Sequence, residues 1–413
     1  MTAGKIGRLV QEGSFYVLLF LLPFSKASVE ISFGFLLLGW LLERLDSATR
    51  VRTAWLTPPL RPVARAVIAY LAVCALSIAV SDFPMLSARG LISKWLEYLL
   101  FFVIVTDVAA RRVVARRGIA VMAWSSLCVV TKAISQEFIL VHVPYREELP
   151  IFHYGRMTGP YQNPIDLATY LMVVIPILLA LWVTVQGWRR VTLGGLLLLL
   201  IGCLARTQAV GAWLGLAVGL IMVAVIGADI AIRRFGLLAL AAVIGGGAIG
   251  LAAMRRLENV FSVMDIGKVD RWVMWQAAIG MIRDRPLLGH GVNTFMANYL
   301  RYWVGGEQQP RYAHNCYLQV AAETGLVGLA AFLWVLWGLF RRLAVGVRQR
   351  SDVQLLLLGC CAGLLAFAVQ AGIDTNFYSL KQSALFWVLS GLALGLTEQP
   401  YHSIQTQPME VAK

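Results

Sequence analysis

His314, in the run RYAHNCYLQV, is the side chain best suited to moving a proton, because imidazole takes and returns one near neutrality. It stands just before an apolar stretch that reads as a membrane helix, beside Asn315 and close to Tyr317. Arg271, in DRWVMWQAAIGMIRD, is a permanent cation whose forked donors match a phosphate or diphosphate. Arg156 offers the same chemistry in PIFHYGRMTGPYQNPIDLATYL, where Gly159-Pro160 and Asn163-Pro164 indicate a shaped loop. The competing reading of Arg156 is an interfacial arginine whose head snorkels to lipid headgroups. Arg206, in CLARTQAVGAWLGL, lies so close to an apolar span that its charge is expensive unless partnered or wet. Asp374, in QAGIDTNFYSL, either orients His314 or pairs with an arginine, or it only caps its own turn together with Asn376.

The elements that must hold these residues follow from the pattern around them. Trp272, Trp275, Ala278 and Ile282 fall on one stripe, so the segment reads as an amphipathic helix with Asp270 as its N-cap. Pro286 ends it, and Gly289-His290-Gly291 turns the chain toward Phe295, with His290 supporting that turn. An aromatic and basic insert (Tyr299, Arg301, Tyr302, Trp303, Arg311, Tyr312) precedes His314. His153 reads as an interfacial or structural histidine.

Composition places the scaffold in a membrane. The chain is 59% hydrophobic and 14% charged, with a mean hydropathy of +0.72, whereas soluble domains carry about 25% charged residues. About twelve helical spans are expected, near 14–26, 28–43, 65–81, 87–106, 117–134, 164–184, 191–205, 209–227, 235–254, 317–341, 353–373 and 380–397. The first two are short and read as a tight, partly re-entrant hairpin around Pro23. No cleavable leader is expected, since the apolar run Phe15 to Phe24 leads straight into another. The net charge of +14 does not indicate nucleic acid, because the arginines cluster in short loops between spans. With twelve spans those clusters share one side with both termini, which the positive-inside tendency makes the cytoplasm. The opposite side then receives 135–163, the turn at Arg206, the long 255–316 loop and the turn at Asp374. Outward arginines run against that tendency, and binding an anion accounts for them. The six cysteines fall mostly in apolar runs, which argues against a disulfide framework; Cys316 reads as a small helix residue. Glycines at 245–247 and 249–250 favour close helix packing in the ninth span, and the tail from Thr397 is polar.

Arg271-x-x-x-Trp275, then Pro-Leu-Leu-Gly-x-Gly-x-x-x-Phe ending at Phe295, then His314-Asn-x-Tyr-Leu and Glu323-x-Gly-x-x-Gly, resembles the O-antigen ligase and polymerase family of bacterial membrane glycosyltransferases. The resemblance implies an all-α, GT-C-like integral membrane protein: helices 1–9 over 1–254, a helical periplasmic loop at 255–316 carrying the active site, helices 10–12 over 317–397, and a cytoplasmic tail at 398–413. It implies the inner membrane of a Gram-negative bacterium. It further implies transfer of O-antigen polysaccharide from undecaprenyl diphosphate to a sugar hydroxyl of the lipid A-core, with inversion. Partners would be that donor, that acceptor and membrane lipids, with no nucleic acid. In this scheme His314 is the base, steadied by Asn315 or Asp374, while Arg156, Arg271 and Arg206 hold the diphosphate and Asn163 and Tyr317 contact substrate. Neither a cofactor nor a metal is expected, because no Cys/His cluster or outer Asp-x-Asp is present. The aromatics Trp272, Trp275, Tyr302 and Trp303 either face sugar rings or mark the membrane interface. One departure from the family pattern is Ala209-Val210 before Gly211, where relatives carry a serine-arginine pair; Arg206 lies about one turn earlier. A polymerase and a protein O-oligosaccharyltransferase share this chemistry. A lipid-diphosphate transporter would explain the arginines, but it would place polar residues near mid-membrane.

Overall fold

A computed structural model describes residues 2–46, 54–142, 156–226, 260–305, 312–349 and 352–398, with scattered positions between 233 and 245. Side chains are described for these except at Leu56, 137–142, Ile226 and 260–270. Every regular element among the described residues is helical. Helices α1 (Ala3–Leu21) and α2 (Lys26–Leu45) form a hairpin that turns at Pro23. Both start earlier than their apolar runs, because the Thr2 and Ser25 side chains cap them; the charged Arg8 and Glu43 then pair at 3.1 Å along the hairpin.

After α3 (Arg61–Ala79), the expected span 87–106 is interrupted. It is built as α4 (Pro84–Gly90), a π-helical turn (Leu91–Leu96) and α5 (Glu97–Ala109). Then follow α6 (Arg112–His142), α7 (Pro164–Thr184), α8 (Trp188–Thr207) and α9 (Val210–Ile226). The ninth expected span and His153 lie largely or wholly outside the described residues. Helix α10 (Val260–Asp284) starts well before Asp270, so that residue is inside the helix and is not its N-cap. The reason lies upstream: Val260, Phe261, Val263 and Met264 carry the helical pattern through, and a cap needs a residue outside helical geometry. The short α11 (Phe295–Asn298) precedes α12 (Cys316–Arg348), α13 (Gln354–Gln370) and α14 (Leu380–Thr397).

Among the described residues six helices, namely α3, residues 112–136 of α6, α7, α8, α12 and α14, are long and apolar enough to cross a membrane. Helices α9 and α13 are apolar but shorter. The described residues are therefore all-helical in their regular structure, as in a membrane protein. Helix α14 is buried from Lys381 to Thr397, as expected of a helix apolar all round with neighbours on every side. Helix α13 lies against α7 and α9, and the α9 contact depends on two glycines. A Cβ on Gly215 would stand 2.6 Å from the Ala366 carbonyl oxygen, and one on Gly219 2.5 Å from that of Ala362. Small residues allow this backbone approach where lipid provides no hydrophobic drive between helices.

Candidate active site

The site begins where α12 begins. Asn315 adopts extended backbone and its side-chain oxygen accepts the Tyr317 and Leu318 N–H groups, each at 3.0 Å, as an N-cap. His314, just outside the cap, has φ of +48°, a region that side chains other than glycine seldom adopt. Cys316 ties this corner to the α13–α14 turn: its N–H donates to the Ala371 carbonyl at 2.8 Å, and its thiol donates to the Asp374 carbonyl at 3.1 Å. These bonds set Asp374 Oδ1 3.5 Å from His314 Nδ1, just beyond direct hydrogen-bond range. The imidazole side chain remains 29% exposed while the carboxylate is 11% exposed, so the histidine faces an open space and the aspartate stands behind it.

The cations approach from other helices. Arg156 Nε donates to the Thr207 carbonyl at 2.7 Å, and Met157 N–H donates to the Arg206 carbonyl at 3.1 Å, so the loop before α7 is laced to the end of α8. Burial, and then the neighbouring Arg271 guanidinium, hold the Arg156 pKa below the ordinary arginine value. Among the described residues no carboxylate pairs with Arg156 or Arg271. Arg206 is exposed in the last turn of α8, where a cation suits the helix dipole whatever else it does. The α8–α9 corner in turn meets the aspartate turn, since a Cβ on Gly211 would stand 2.7 Å from Ile373. Helix α10 packs Met274, Ala277, Ala278 and Met281 against Ala313 and Ala322, which brings Arg271 to the same end of the molecule.

Two further candidates have local roles in this structure. Asn163 is exposed and its side-chain oxygen caps α7 at the Ile165 N–H, 2.9 Å away. The Tyr317 hydroxyl donates to the Ala368 carbonyl at 2.6 Å. Of the aromatics, Trp272 is largely exposed, whereas the Tyr302 hydroxyl donates to Asp284 at 2.5 Å, and burial with that bond pushes its pKa up to about 12. His290 is buried, with Nε2 3.2 Å from the Met281 carbonyl, and burial pushes its pKa down.

Sequence reasoning passed over the polar group that assembles this end. Glu323 is almost fully buried in α12, and its carboxylate accepts four donors: Asn293 N–H (2.7 Å), Phe295 N–H (3.2 Å), Gln319 Nε2 (3.2 Å) and the Tyr378 hydroxyl (3.0 Å). Backbone bonds join the same two segments, with His290 N–H to Ala322, Gly291 N–H to Glu323 and Leu326 N–H to Pro286 carbonyls. Gly325, at φ +70°, breaks α12 here so that Leu287 can lie against it. From the π-helical turn, Lys94 Nζ donates to Asn293 Oδ1 at 2.7 Å and to the Tyr312 hydroxyl at 3.3 Å. The available signal was a glutamate within an apolar span, which by default marks function or a partner.

Among the described residues no three His, Cys, Asp or Glu side chains gather as metal ligands. The arrangement suits acid–base chemistry at His314 beside an anion held by arginines. Residues 195–333 match the family model described as O-antigen ligase. That segment includes Arg206, Arg271, His314, Asn315 and Tyr317; Arg156, Asn163 and Asp374 lie outside it. No curated protein matches the chain.

Proposed function

With the O-antigen ligase match of residues 195–333 as premise, we propose that this protein transfers a glycan from undecaprenyl diphosphate to the lipid A-core, at the periplasmic face of a Gram-negative inner membrane. The supporting observation is the pairing of a part-exposed His314 with Asp374 behind it, at the end of the molecule that also holds Arg156 and Arg271, two neighbouring guanidiniums with no carboxylate partner among the described residues. Asp374 facing Nδ1 favours the tautomer with its proton there, leaving Nε2 to accept one. The acceptor hydroxyl oxygen attacks the anomeric carbon, and its proton passes to Nε2. The bond from that carbon to the phosphate oxygen breaks, its electrons leave with undecaprenyl diphosphate, and the centre inverts. Arg156 and Arg271, with Arg206 at the rim, stabilise the charge that grows on the diphosphate. Asn315 holds the helix start that aims the histidine, and Asn163 and Tyr317 frame the substrate space. Twelve spans, with both termini cytoplasmic, belong to the same proposal.

The test is transfer with purified protein, an undecaprenyl-diphosphate glycan and lipid A-core, in EDTA throughout. Glycan on lipid A-core is the expected result. Lengthening of the glycan on its carrier would replace the ligase by a polymerase, and no product with any acceptor would overturn the enzyme reading. His314→Ala and Arg271→Ala should each lower the rate on the order of 10²–10³-fold, the usual effect of losing a preorganised group of this kind. Folded variants that transfer at the unmodified rate would sink the residue assignment.

A further inference from the structure

Helix α7 has its Asn163 cap at the candidate site, and its far end, about 28 Å away by helical rise, lines a cavity. The cavity measures about 210 Å³ and lies where α7, α8, α9 and α13 meet. Its walls include Pro176, Leu179, Leu220, Val223 and Leu358, and among the described residues the one charged side chain lining it is Arg190. That guanidinium lies 4.5 Å from the centre of the Trp182 ring, and the Trp182 indole N–H donates to the Arg190 carbonyl at 2.9 Å. Arg189 beside it lies over Trp188, which is 72% exposed.

Size and lining narrow the occupant. An apolar cavity of about 150 Å³ stays dry and admits a benzene, so a larger one with this lining favours hydrocarbon over water. It is smaller than the roughly 300 Å³ at which pockets for whole drug-sized ligands begin, so it holds only part of one chain. Among the described residues no carboxylate pairs with Arg189 or Arg190, which leaves two cations at the rim of a greasy slot. Tryptophans mark headgroup depth, where the phosphate of an inserted lipid would lie. A zwitterionic headgroup brings its own cation toward these arginines, whereas an anionic one does not.

We propose that this cavity is a binding site for an anionic phospholipid, with one acyl chain in the slot and the phosphate on Arg190. The site is remote from His314 and does not depend on the glycosyl-transfer reading.

The experiment is native mass spectrometry of the full-length protein, delipidated in detergent and titrated separately with dioleoyl phosphatidylglycerol, dioleoyl phosphatidylcholine and undecaprenyl phosphate. Phosphatidylglycerol should be retained at concentrations about tenfold lower than phosphatidylcholine, and Arg190→Gln should remove about that factor, as loss of a charge-assisted hydrogen bond does. Val223→Phe, which fills the slot, should weaken phosphatidylglycerol retention as well. Arg190 is exposed, so Arg190→Gln decides the matter even if Val223→Phe does not fold. Equal retention of the two phospholipids, or phosphatidylglycerol binding unchanged in Arg190→Gln, would overturn the proposal. Preferential retention of undecaprenyl phosphate would also overturn it, by identifying a different occupant.

Discussion

His314 and Asp374 are held by backbone bonds through Cys316, so their separation is a property of the fold more than of either side chain. Asp374→Asn keeps the shape but loses the charge that favours an imidazolium. Transfer by this variant should fall by one to two orders of magnitude with KM little changed, because the charge matters most as the proton arrives; steady-state kinetics would show the split. His290 makes an opposite kind of prediction. Its pKa is depressed by burial, so between that value and the ordinary one the unfolded chain binds more protons, and stability rises with pH. Stability contributed by neutral His290 is therefore full above the ordinary histidine pKa and is lost as pH falls through the depressed value. The melting temperature in detergent should drop as pH falls below the ordinary histidine pKa of about 6.5, and His290→Gln should flatten that drop.

At the scale of elements, the meeting of Pro286–Phe295 with Glu323–Gly325 depends on one buried carboxylate and one left-handed glycine. Glu323→Leu strands the Asn293 and Phe295 N–H groups, each loss worth about 1–3 kcal/mol, so a large fall in melting temperature is expected. Glu323→Gln, which keeps an acceptor, should fall less. Gly325→Ala should also destabilise, since a Cβ there meets the Leu287 carbonyl and the backbone is at positive φ. The order of stability among these variants, read by thermal unfolding, checks the account; equal melting of Glu323→Leu and the unmodified protein would refute it. The sequence made the Pro286–Phe295 and Glu323–Gly328 signatures visible, but not that they bond to each other, because that pairing is long-range. Helix α7 was legible to the residue, since Asn163-Pro164 supplies both a cap and a fixed φ. Helix α10 was not, because Asp270 offers a cap-type side chain in the middle of an apolar pattern that continues upstream to Val260. The π-helical turn at Leu91–Leu96 was not legible either: Lys94 and the neighbouring Glu97 mark polar positions in the expected span, but a change of helical pitch has no signature in hydropathy.

For the whole molecule, the proposed orientation sets Leu300 and Trp188 on opposite membrane faces, and both are exposed. Cysteines introduced there, after replacing the exposed Cys128 by Ser, make a direct test. A membrane-impermeant maleimide added to spheroplasts should label Leu300→Cys and leave Trp188→Cys unlabelled; the reverse pattern would turn the protein over. The two ends of α7 then face different aqueous compartments, one with the histidine and the other with the Arg190 cavity.

The knot at Glu323 also has a consequence for biosynthesis. The loop from Pro286 to Phe295 leaves the ribosome before the carboxylate that fastens it, and the Tyr378 hydroxyl that completes that carboxylate's shell comes later still. Asp374, which stands behind the histidine, is likewise made near the end. A nascent chain therefore carries its arginines and histidine through insertion without an assembled site. If the proposed site is the catalytic one, competence arrives only with the last helices, and a truncated product stranded in the bilayer would be inert rather than a partly working enzyme.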